Sequence, residues 1–345
     1  MTTRYQAWAA TEVGGKLSQT TIEAGPLGEN EVEIAVESCG LCHSDLSMLD
    51  NEWGRSDYPL VPGHEVVGRV IAKGAAAQGP ELGERVGLGW FSHACGGCAS
   101  CLDGAQNLCG QSAETIVGRH GGFAQVVRAH WMWTIPIPDA LDPISAGPLF
   151  CGGITVFHPF VAFDIKPTDR VAVVGVGGLG HLALQFAKAW GCEVTALSSS
   201  PDKADEAQEL GAHRVVNSRD KEALKGEAGR HDVVLVTVNV PLDWQRYLQA
   251  LAPKGRLHFV GAVLEPVPVP AFSLIGGQRS LSGSPMGTPT TTRQMLEFCA
   301  RHNIQPQVQT FPMSEVNAAI DHARAGKARY RVVLEQDQPL ASELS

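Results

Sequence analysis

The sequence predicts an α/β protein with two domains, one rich in β-strands and one built on a doubly wound parallel sheet. With 345 residues, the chain exceeds the size of one average hydrophobic core. Its first part reads as short strands separated by Gly and Pro, whereas strands and helices alternate from Arg170 onward. Size and the change of pattern together predict this fold class.

The first part of the chain shows no long amphipathic helix pattern. Residues 32–36 and 66–72 are typical of short strands bounded by turns. Residues 95–110 are rich in Gly and Cys and read as a loop. We therefore expect a β-rich domain that ends between Cys151 and Arg170.

From Arg170 onward the pattern is one of alternating elements. Strands are predicted at 171–174, 193–197, 232–238 and 256–260, with helices at 181–190, 201–210 and 242–251. Such alternation is typical of a parallel sheet with helices on both faces. Helices at 291–302 and 314–325 and a strand at 330–334 follow. The predicted domains are residues 1–153 with 284–345, and residues 154–283.

The composition argues against two classes of partner. The net charge is −9 and no dense run of Lys and Arg occurs, so a nucleic-acid partner is not expected. No apolar stretch reaches the roughly 18 residues of a spanning helix, and residues 1–17 lack a secretion signal. We expect a cytoplasmic protein that binds no membrane.

A glycine-rich turn follows the first predicted strand of the alternating part. The sequence Gly175-Val176-Gly177-Gly178-Leu179-Gly180 lies between that strand and the next helix. Glycines in this context permit a tight turn and bring backbone N–H groups to a pyrophosphate at the helix start. A plain glycine-rich turn is the alternative. The context favours a dinucleotide site.

The end of the next strand indicates which dinucleotide binds. NAD sites usually place a carboxylate there, whereas this chain has Ser198, Ser199 and Ser200, with Lys203 shortly after. Hydroxyls and an ammonium group favour a 2′-phosphate, and Asp202 is expected in the helix start. The serines could also serve only as a helix cap. We favour NADP(H) as the cofactor.

Four of the nine cysteines fall within one loop: Cys95, Cys98, Cys101 and Cys109. Four thiolates around one ion describe a closed, structural zinc site. A disulfide pair or an iron–sulfur cluster are the alternatives, and a reducing compartment disfavours the first. We expect zinc here.

Three further residues could hold a second ion, namely Cys42, His64 and Cys151. Two thiolates and one imidazole leave one position open, as in a catalytic zinc site. Because these residues are far apart in the sequence, their spacing alone does not show that they bind one ion. Cys151 could be a buried apolar cysteine and His64 a histidine in a turn, so both interpretations stay open at this point.

Several segments resemble zinc-containing medium-chain alcohol dehydrogenases, in particular the cinnamyl alcohol dehydrogenase branch and bacterial broad-range NADPH-dependent aldehyde reductases. The matching segments are CGLCHSDLSMLDNEWG, YPLVPGHEVVGRV, CGGCASC, SAGPLFCGGITVFHP, VAVVGVGGLGHLALQFAKAWG, RSLSGSPMGTP and GKARYRVVLE. The resemblance implies a catalytic domain with a GroES-like β-barrel core, a Rossmann domain, and an active site in the cleft between them.

The resemblance also implies roles for residues near the second metal. It implies Cys42, His64 and Cys151 as ligands of a catalytic zinc, with Glu65 able to approach the ion. Asp45 matches a group that orients the histidine, and Ser44 matches the hydroxyl that passes the proton. His43 and Arg331 match residues that reach the cofactor pyrophosphate, and Ser198, Ser199 and Lys203 match the NADP phosphate site.

One position departs from the family pattern. Many relatives carry a histidine three residues after the relay hydroxyl, where this chain has Ser47. The relay could run through cofactor hydroxyls and water or through Ser47.

The resemblance implies a homo-oligomeric enzyme, commonly a dimer or tetramer, that reduces aldehydes to primary alcohols with NADPH. Narrow cinnamyl-type specificity and a non-catalytic zinc- and nucleotide-binding protein are the alternatives. Pocket candidates are Trp53, Tyr58, Trp90 and Phe91.

Overall fold

The computed structural model describes residues 3–340, which form two compact units. Unit 1 contains the residues up to Cys151 together with those from Gly287 onward, and unit 2 is Gly152–Met286. Unit 2 is therefore inserted into unit 1 in the order of the chain. The predicted limits of the functional domains stay a prediction.

The strands within residues 3–340 are β1 (Thr3–Ala9), β2 (Ser18–Ala24), β3 (Glu31–Leu41), β4 (Glu65–Lys73), β5 (Arg85–Leu88), β6 (Phe91–His93), β7 (Ala113–Glu114), β8 (Val126–His130), β9 (Ile135–Pro136), β10 (Arg170–Val174), β11 (Glu193–Ser198), β12 (Arg214–Asn217), β13 (His231–Val236), β14 (Leu251–Phe259), β15 (Ser280–Gly283), β16 (Val308–Pro312) and β17 (Arg331–Glu335).

The α-helices in the same part of the chain are α1 (His43–Leu49), α2 (Ala99–Leu102), α3 (Pro143–Ala146), α4 (Gly152–Ala162), α5 (Gly180–Trp190), α6 (Ala204–Glu209), α7 (Lys221–Lys225), α8 (Trp244–Ala250), α9 (Ala271–Ile275), α10 (Pro289–His302) and α11 (Val316–Arg324). Short 3-10 helices occur at Gln106–Leu108, Trp131–Trp133, Gly147–Phe150, Pro201–Lys203 and Met313–Glu315.

Unit 1 is organised around the long strand β3. The sheet runs β16-β17-β3-β4-β5-β9, and β8 also pairs with β3. β3 is antiparallel to β4, β8 and β17, so the ends of several strands meet where β3 ends. Its inward side chains, such as Val32, Ile34 and Val36, are buried, which the alternating sequence predicts. The β-rich prediction for this region is confirmed.

Unit 2 contains a six-stranded parallel sheet in the order β12-β11-β10-β13-β14-β15. Numbered within the unit, this is the strand order 3-2-1-4-5-6 of a doubly wound dinucleotide-binding fold. Strands buried on both faces need continuous apolar runs, and the side chains of 171–174 and 233–236 are buried accordingly. The predicted doubly wound sheet is confirmed.

The observed elements differ from the predicted ones at several points. β14 begins at Leu251, five positions before the predicted 256, because Leu251 pairs with His231 across an irregularity in the register. The predicted helix 201–210 is a 3-10 turn followed by α6. The sequence analysis also did not identify β12, β15, β16, α4 or α9, which are short or uniformly apolar.

Within residues 3–340, no single helix has the length and apolar composition needed to cross a membrane. One pair of short helices, Pro143–Phe150 and Gly152–Ala162, meets those criteria only when its two members are taken together.

Candidate active site

Three strand ends of unit 1 converge and bring residues from distant parts of the chain together. Cys42 follows the last residue of β3, and Glu65 begins β4. β3 and β4 are antiparallel, with Gly40 opposite Glu65, so the end of one strand meets the start of the other. β17 begins at Arg331 and is also antiparallel to β3.

The 3-10 helix Gly147–Phe150 brings a fourth part of the chain to the same place. An added Cβ on Gly147 would lie 2.7 Å from the backbone oxygen of Glu65, so only glycine permits this approach. Cys151 follows directly and is buried, with 8% of its surface exposed.

The side chains of Cys42, His64, Glu65 and Cys151 form one buried cluster. The Sγ atoms of Cys42 and Cys151 are 3.7 Å apart, and His64 Nε2 lies 3.3 Å from Cys151 Sγ. One ligand atom from each of the four residues lies within 4.8 Å of the others. Tetrahedral zinc with Zn–S bonds of about 2.3 Å requires Sγ–Sγ distances of roughly 3.8 Å. The donor set therefore fits zinc.

Asp45 connects two of these donors from within the protein interior. Its carboxylate is fully buried and accepts hydrogen bonds from His64 Nδ1, Gly63 N and Cys42 N, each at 2.9 Å. Nδ1 donates this hydrogen bond, and the other ring nitrogen, Nε2, points toward Cys151 Sγ. Histidines that bind a metal are usually held by a carboxylate in this way.

The electrostatics of the cluster favour a thiolate. The hydrogen bond from Cys151 holds the pKa of Cys42 well below its usual range, and the Arg331 guanidinium acts in the same direction. The same hydrogen bond, with burial, raises the pKa of Cys151. Burial lowers the pKa of His64, but Asp45 and Cys42 more than offset this and raise it overall.

Glu65 and Arg331 form a buried ion pair beside the cluster. Arg331 Nη2 donates to Glu65 Oε1, and only 6% of Arg331 is exposed. Burial raises the pKa of Glu65 to about 7, although Arg331 opposes this shift. The second oxygen, Oε2, is buried without a hydrogen-bond partner. An unpartnered carboxylate oxygen facing two sulfurs and an imidazole fits a nearby cation. No motif or spacing in the sequence indicates this ion pair.

The helix α1 carries the remaining candidates of unit 1. Ser44 Oγ lies 3.9 Å from Cys42 Sγ, next to the metal donors. His43 is exposed at the first position of the helix. Ser47 is buried, and its hydroxyl donates to Glu52 Oε2 at 2.7 Å. Glu52 belongs to no motif in the sequence, and an acidic residue after a helix is normally only solvated.

Two of the four aromatic pocket candidates lie at the cluster. The ring of Trp90 meets the imidazole of His64 edge-on at 5.0 Å between centroids, and Trp53 packs against Trp90 at 5.7 Å. Tyr58 instead donates its hydroxyl to the backbone oxygen of Leu49 at 2.8 Å. Phe91 is buried in the core of the unit. The structure therefore does not bring Tyr58 and Phe91 to the metal donors.

The four-cysteine loop forms a second cluster within unit 1. Sγ of Cys95 is 3.9 Å from Sγ of Cys101, and Sγ of Cys98 is 3.8 Å from Sγ of Cys109. A disulfide would require about 2.05 Å, whereas tetrahedral zinc fits these distances. Backbone N–H groups of Gly97 and Cys98 lower the pKa of Cys95 to about 6. Four protein donors would complete a tetrahedral zinc and leave no open position for a substrate. This composition is that of a structural zinc site.

In unit 2, the glycine loop connects β10 to α5 as the sequence predicts. Gly175 has φ +91°, and an added Cβ would lie 2.5 Å from Val238 Cγ1. An added Cβ on Gly180 would collide with the backbone oxygen of Gly175. Nothing lies within 4 Å of the corresponding position on Gly177, so a phosphate can approach the backbone there. Gly178 and Leu179 complete the turn before the helix.

The serine cluster follows β11, close to the glycine loop. Lys203 Nζ donates to the backbone oxygen of Val176 at 3.1 Å, so its ammonium group lies beside that loop. Ser199 is exposed, whereas Ser198 is buried and hydrogen-bonds both the N–H and the oxygen of Ser200. Ser198 therefore shapes the turn, and Ser199 and Lys203 present polar groups outward. Asp202 is exposed.

Family models match both units of the chain. Residues 28–139 match the alcohol dehydrogenase GroES-like domain, and residues 178–301 match the zinc-binding dehydrogenase model. The chain is 54% identical over 329 residues to the aldehyde reductase AdhA of Synechocystis, covering 95% of this chain and 98% of that protein. The chain belongs to the zinc-containing medium-chain alcohol dehydrogenases. The predicted family, fold class and zinc cofactor are confirmed.

Solved structures of this dehydrogenase family match along nearly the whole chain. A cinnamyl alcohol dehydrogenase from Sorghum bicolor has a TM-score of 0.93 at 35% identity and covers 99% of this chain and 100% of its own. A cinnamyl alcohol dehydrogenase from Helicobacter pylori, complexed with NADP(H), has a TM-score of 0.90 at 25% identity, covering 99% and 100%. Both domains of this dehydrogenase thus have counterparts in one polypeptide.

The substitution Asp45→Asn tests whether the buried carboxylate holds the metal donors. The amide keeps the shape but cannot accept from three N–H groups with a full charge, so we expect a loss of about 10- to 100-fold in zinc affinity. Competition with a chelator of known affinity, followed by metal analysis, measures this. Asp50→Asn is the control, because Asp50 pairs with Arg324 and contacts no metal donor. Equal affinities in the two variants would contradict the assignment.

Proposed function

We propose that this dehydrogenase reduces aldehydes to primary alcohols with NADPH, reversibly and over a broad aliphatic and aromatic range. The observation that carries the proposal is the buried set of Cys42, His64 and Cys151, oriented by Asp45. It occurs in a chain 54% identical to an aldehyde reductase. Narrow cinnamyl-type specificity has weaker support, since the cinnamyl alcohol dehydrogenase relatives are less similar, at 38% identity.

Each cofactor has a matching group of residues. Zinc held by Cys42, His64 and Cys151 would supply a Lewis acid for the aldehyde oxygen, and NADPH would supply the hydride. We assign a second, structural zinc to Cys95, Cys98, Cys101 and Cys109. The glycine loop of 175–180 would hold the cofactor pyrophosphate, for which His43 and Arg331 are further proposed contacts.

The residues around the metal donors prepare the site for the reaction. Ser44 lies beside Cys42 and provides a hydroxyl that donates a proton to the product alkoxide. Asp45 accepts from Nδ1 of His64 and so orients the imidazole, with Nε2 directed toward the other donors. Glu65 offers a buried carboxylate oxygen that can approach the cation or turn away from it, since Arg331 holds its other oxygen.

We infer a preference for NADP(H) from the polar groups after β11. Ser199 and Lys203 offer a hydroxyl and an ammonium group beside the glycine loop, with Ser198 and Ser200 shaping the turn. A 2′-phosphate would accept from both, whereas no carboxylate occupies the end of the strand. Asp202 is exposed after the turn and does not replace such a carboxylate.

We also propose which residues form each functional domain and that the protein assembles into a homo-oligomer. We assign zinc binding and catalysis to residues 1–153 and 284–345, and nucleotide binding to 154–283. A homo-oligomer, either a dimer or a tetramer, is supported by the edge strand β15, where Leu281 is exposed, and by exposed Phe272 on α9. Analytical ultracentrifugation of Leu281→Asp against the unaltered protein tests this interface.

We also propose a cytoplasmic location. All nine cysteines are free thiols in the structure, and two clusters of them have the composition of zinc sites. Thiolate ligands persist in a reducing compartment. Recovery of the activity in the cytosolic fraction after cell lysis is the test.

The activity itself is tested by NADPH consumption with hexanal and cinnamaldehyde as parallel substrates. We expect turnover of both and close to two zinc ions per chain by metal analysis. Cys42→Ser should reduce turnover by at least about 100-fold while NADPH binding persists, because the Lewis acid is lost and the nucleotide site is not.

Three other results of these measurements would contradict parts of the proposal. Turnover confined to cinnamaldehyde would support narrow aromatic specificity, and NADPH binding without any turnover would support a non-catalytic protein. A zinc content near one would remove one of the two assigned sites.

Ser199→Asp tests the cofactor preference. The new carboxylate repels a 2′-phosphate but can accept from a ribose hydroxyl, so we expect the kcat/KM ratio of NADPH to NADH to fall by at least about tenfold. Ser199→Asn, of similar size without the charge, is the matched control. An unchanged ratio in Ser199→Asp would refute the assignment.

A further inference from the structure

The side chain of Ser47 points to a route for the proton that the aldehyde or alcohol exchanges with water. Ser47 occupies the position where many relatives have a histidine, and it is 2% exposed. Its hydroxyl donates to Oε2 of Glu52 at 2.7 Å, and Glu52 is exposed. A buried hydroxyl is thus connected directly to a carboxylate that contacts solvent.

The backbone keeps this contact in place. Glu52 N donates to the backbone oxygen of Ser47 at 2.9 Å, so the turn after α1 folds back onto the helix. Ser44 precedes Ser47 by three residues on α1, and residues at this spacing share one helix face with about 5–6 Å between their Cβ atoms. One water molecule can bridge two hydroxyls over such a distance.

We propose that Ser47 and Glu52 form the outer end of the proton path that begins at Ser44, in place of the missing histidine. The proposal rests on the proposed function. Glu52 acts through its hydrogen bond to Ser47, so its proposed role is that of a relay residue.

During alcohol oxidation, the proton moves outward from Ser47 to Glu52 and then to water. Ser47 Oγ gives its proton to Glu52 Oε2 and accepts one from the inner side, so one O–H bond breaks and one forms at Ser47. Glu52 then releases the proton to water. In aldehyde reduction every transfer runs in reverse, and water supplies the proton to Glu52. No electrons move in these steps.

The cation nearest to Glu52 has closer partners of its own. Arg324 on α11 interacts electrostatically with Glu52, but Asp50 pairs with both Nη atoms of Arg324 at 2.7 Å, and Asp321 also interacts with it. The guanidinium is therefore largely neutralised by its closest partners. Glu52 keeps its direct contact with water.

Glu52→Gln is the test, with Asp57→Asn as the control, because Asp57 is another exposed carboxylate of the segment after α1 and its removal leaves the pairing of Asp50 with Arg324 intact. In Glu52→Gln we expect kcat to fall by at least about tenfold with KM for alcohol and NADP changed less than about twofold, because proton exchange slows while binding persists. The solvent deuterium isotope effect on kcat should rise, the pH profile of kcat should change, and the rate should depend on buffer concentration. Asp57→Asn should resemble the unaltered enzyme in all of these measurements.

Two double variants test whether Ser47 and Glu52 act in the same proton path. Ser47→Ala combined with Glu52→Gln should be no slower than Glu52→Gln alone, since both changes interrupt one path. Ser47→His in the Glu52→Gln background should recover part of kcat. Zinc content and NADPH affinity, measured by fluorescence titration, should stay unchanged in all variants.

The relay is refuted if Glu52→Gln keeps the kcat, pH profile and isotope effect of the unaltered enzyme and of Asp57→Asn. That result would leave the proposed function intact, because the unaltered enzyme would still reduce aldehydes. An unaltered enzyme without turnover would instead overturn the proposed function.

Discussion

The buried carboxylate of Asp45 is the interaction on which the rest of the site depends. A fully buried charge is costly unless it is hydrogen-bonded and close to opposite charge. Here it accepts from three N–H groups, two on the backbone and one on the imidazole of His64. The same contacts orient two metal donors from separate strands, Cys42 and His64. A cation bound by these donors would in turn compensate the charge of the carboxylate, which would couple folding to metal binding.

The sequence predicted the sites whose residues lie close together in the chain, namely the four-cysteine loop and the glycine loop. Four cysteines with short glycine-rich spacers can reach one ion wherever the loop lies, and in the structure their sulfur atoms lie within 4.8 Å of one another. The glycines at 175–180 were predictable because tight turns exclude a Cβ at two of these positions. The dispersed ligand set was different, since residue types alone left Cys151 and His64 ambiguous. The resemblance to a known family removed that ambiguity.

What the sequence could not predict depends on contacts between distant segments. The ion pair of Glu65 and Arg331 spans 266 positions and arises only because two strands flank β3. Ser198 was expected to face a phosphate, yet its hydroxyl bonds to its own turn. The contact of Ser47 with Glu52 depends on how the chain folds back after α1. None of these leaves a periodic or spacing signal.

The position of β17 has a consequence for how the protein is made. This late strand pairs directly with β3 beside the metal donors, and Arg331 at its start contacts Glu65. During synthesis on the ribosome, β3 emerges early but waits for a neighbour translated almost 300 residues later. Unit 2, continuous in the chain, is complete before that neighbour exists. The four donors of the buried cluster, at positions 42, 64, 65 and 151, are all synthesised before unit 2, so the last partner to reach the cluster is Arg331, which holds Glu65.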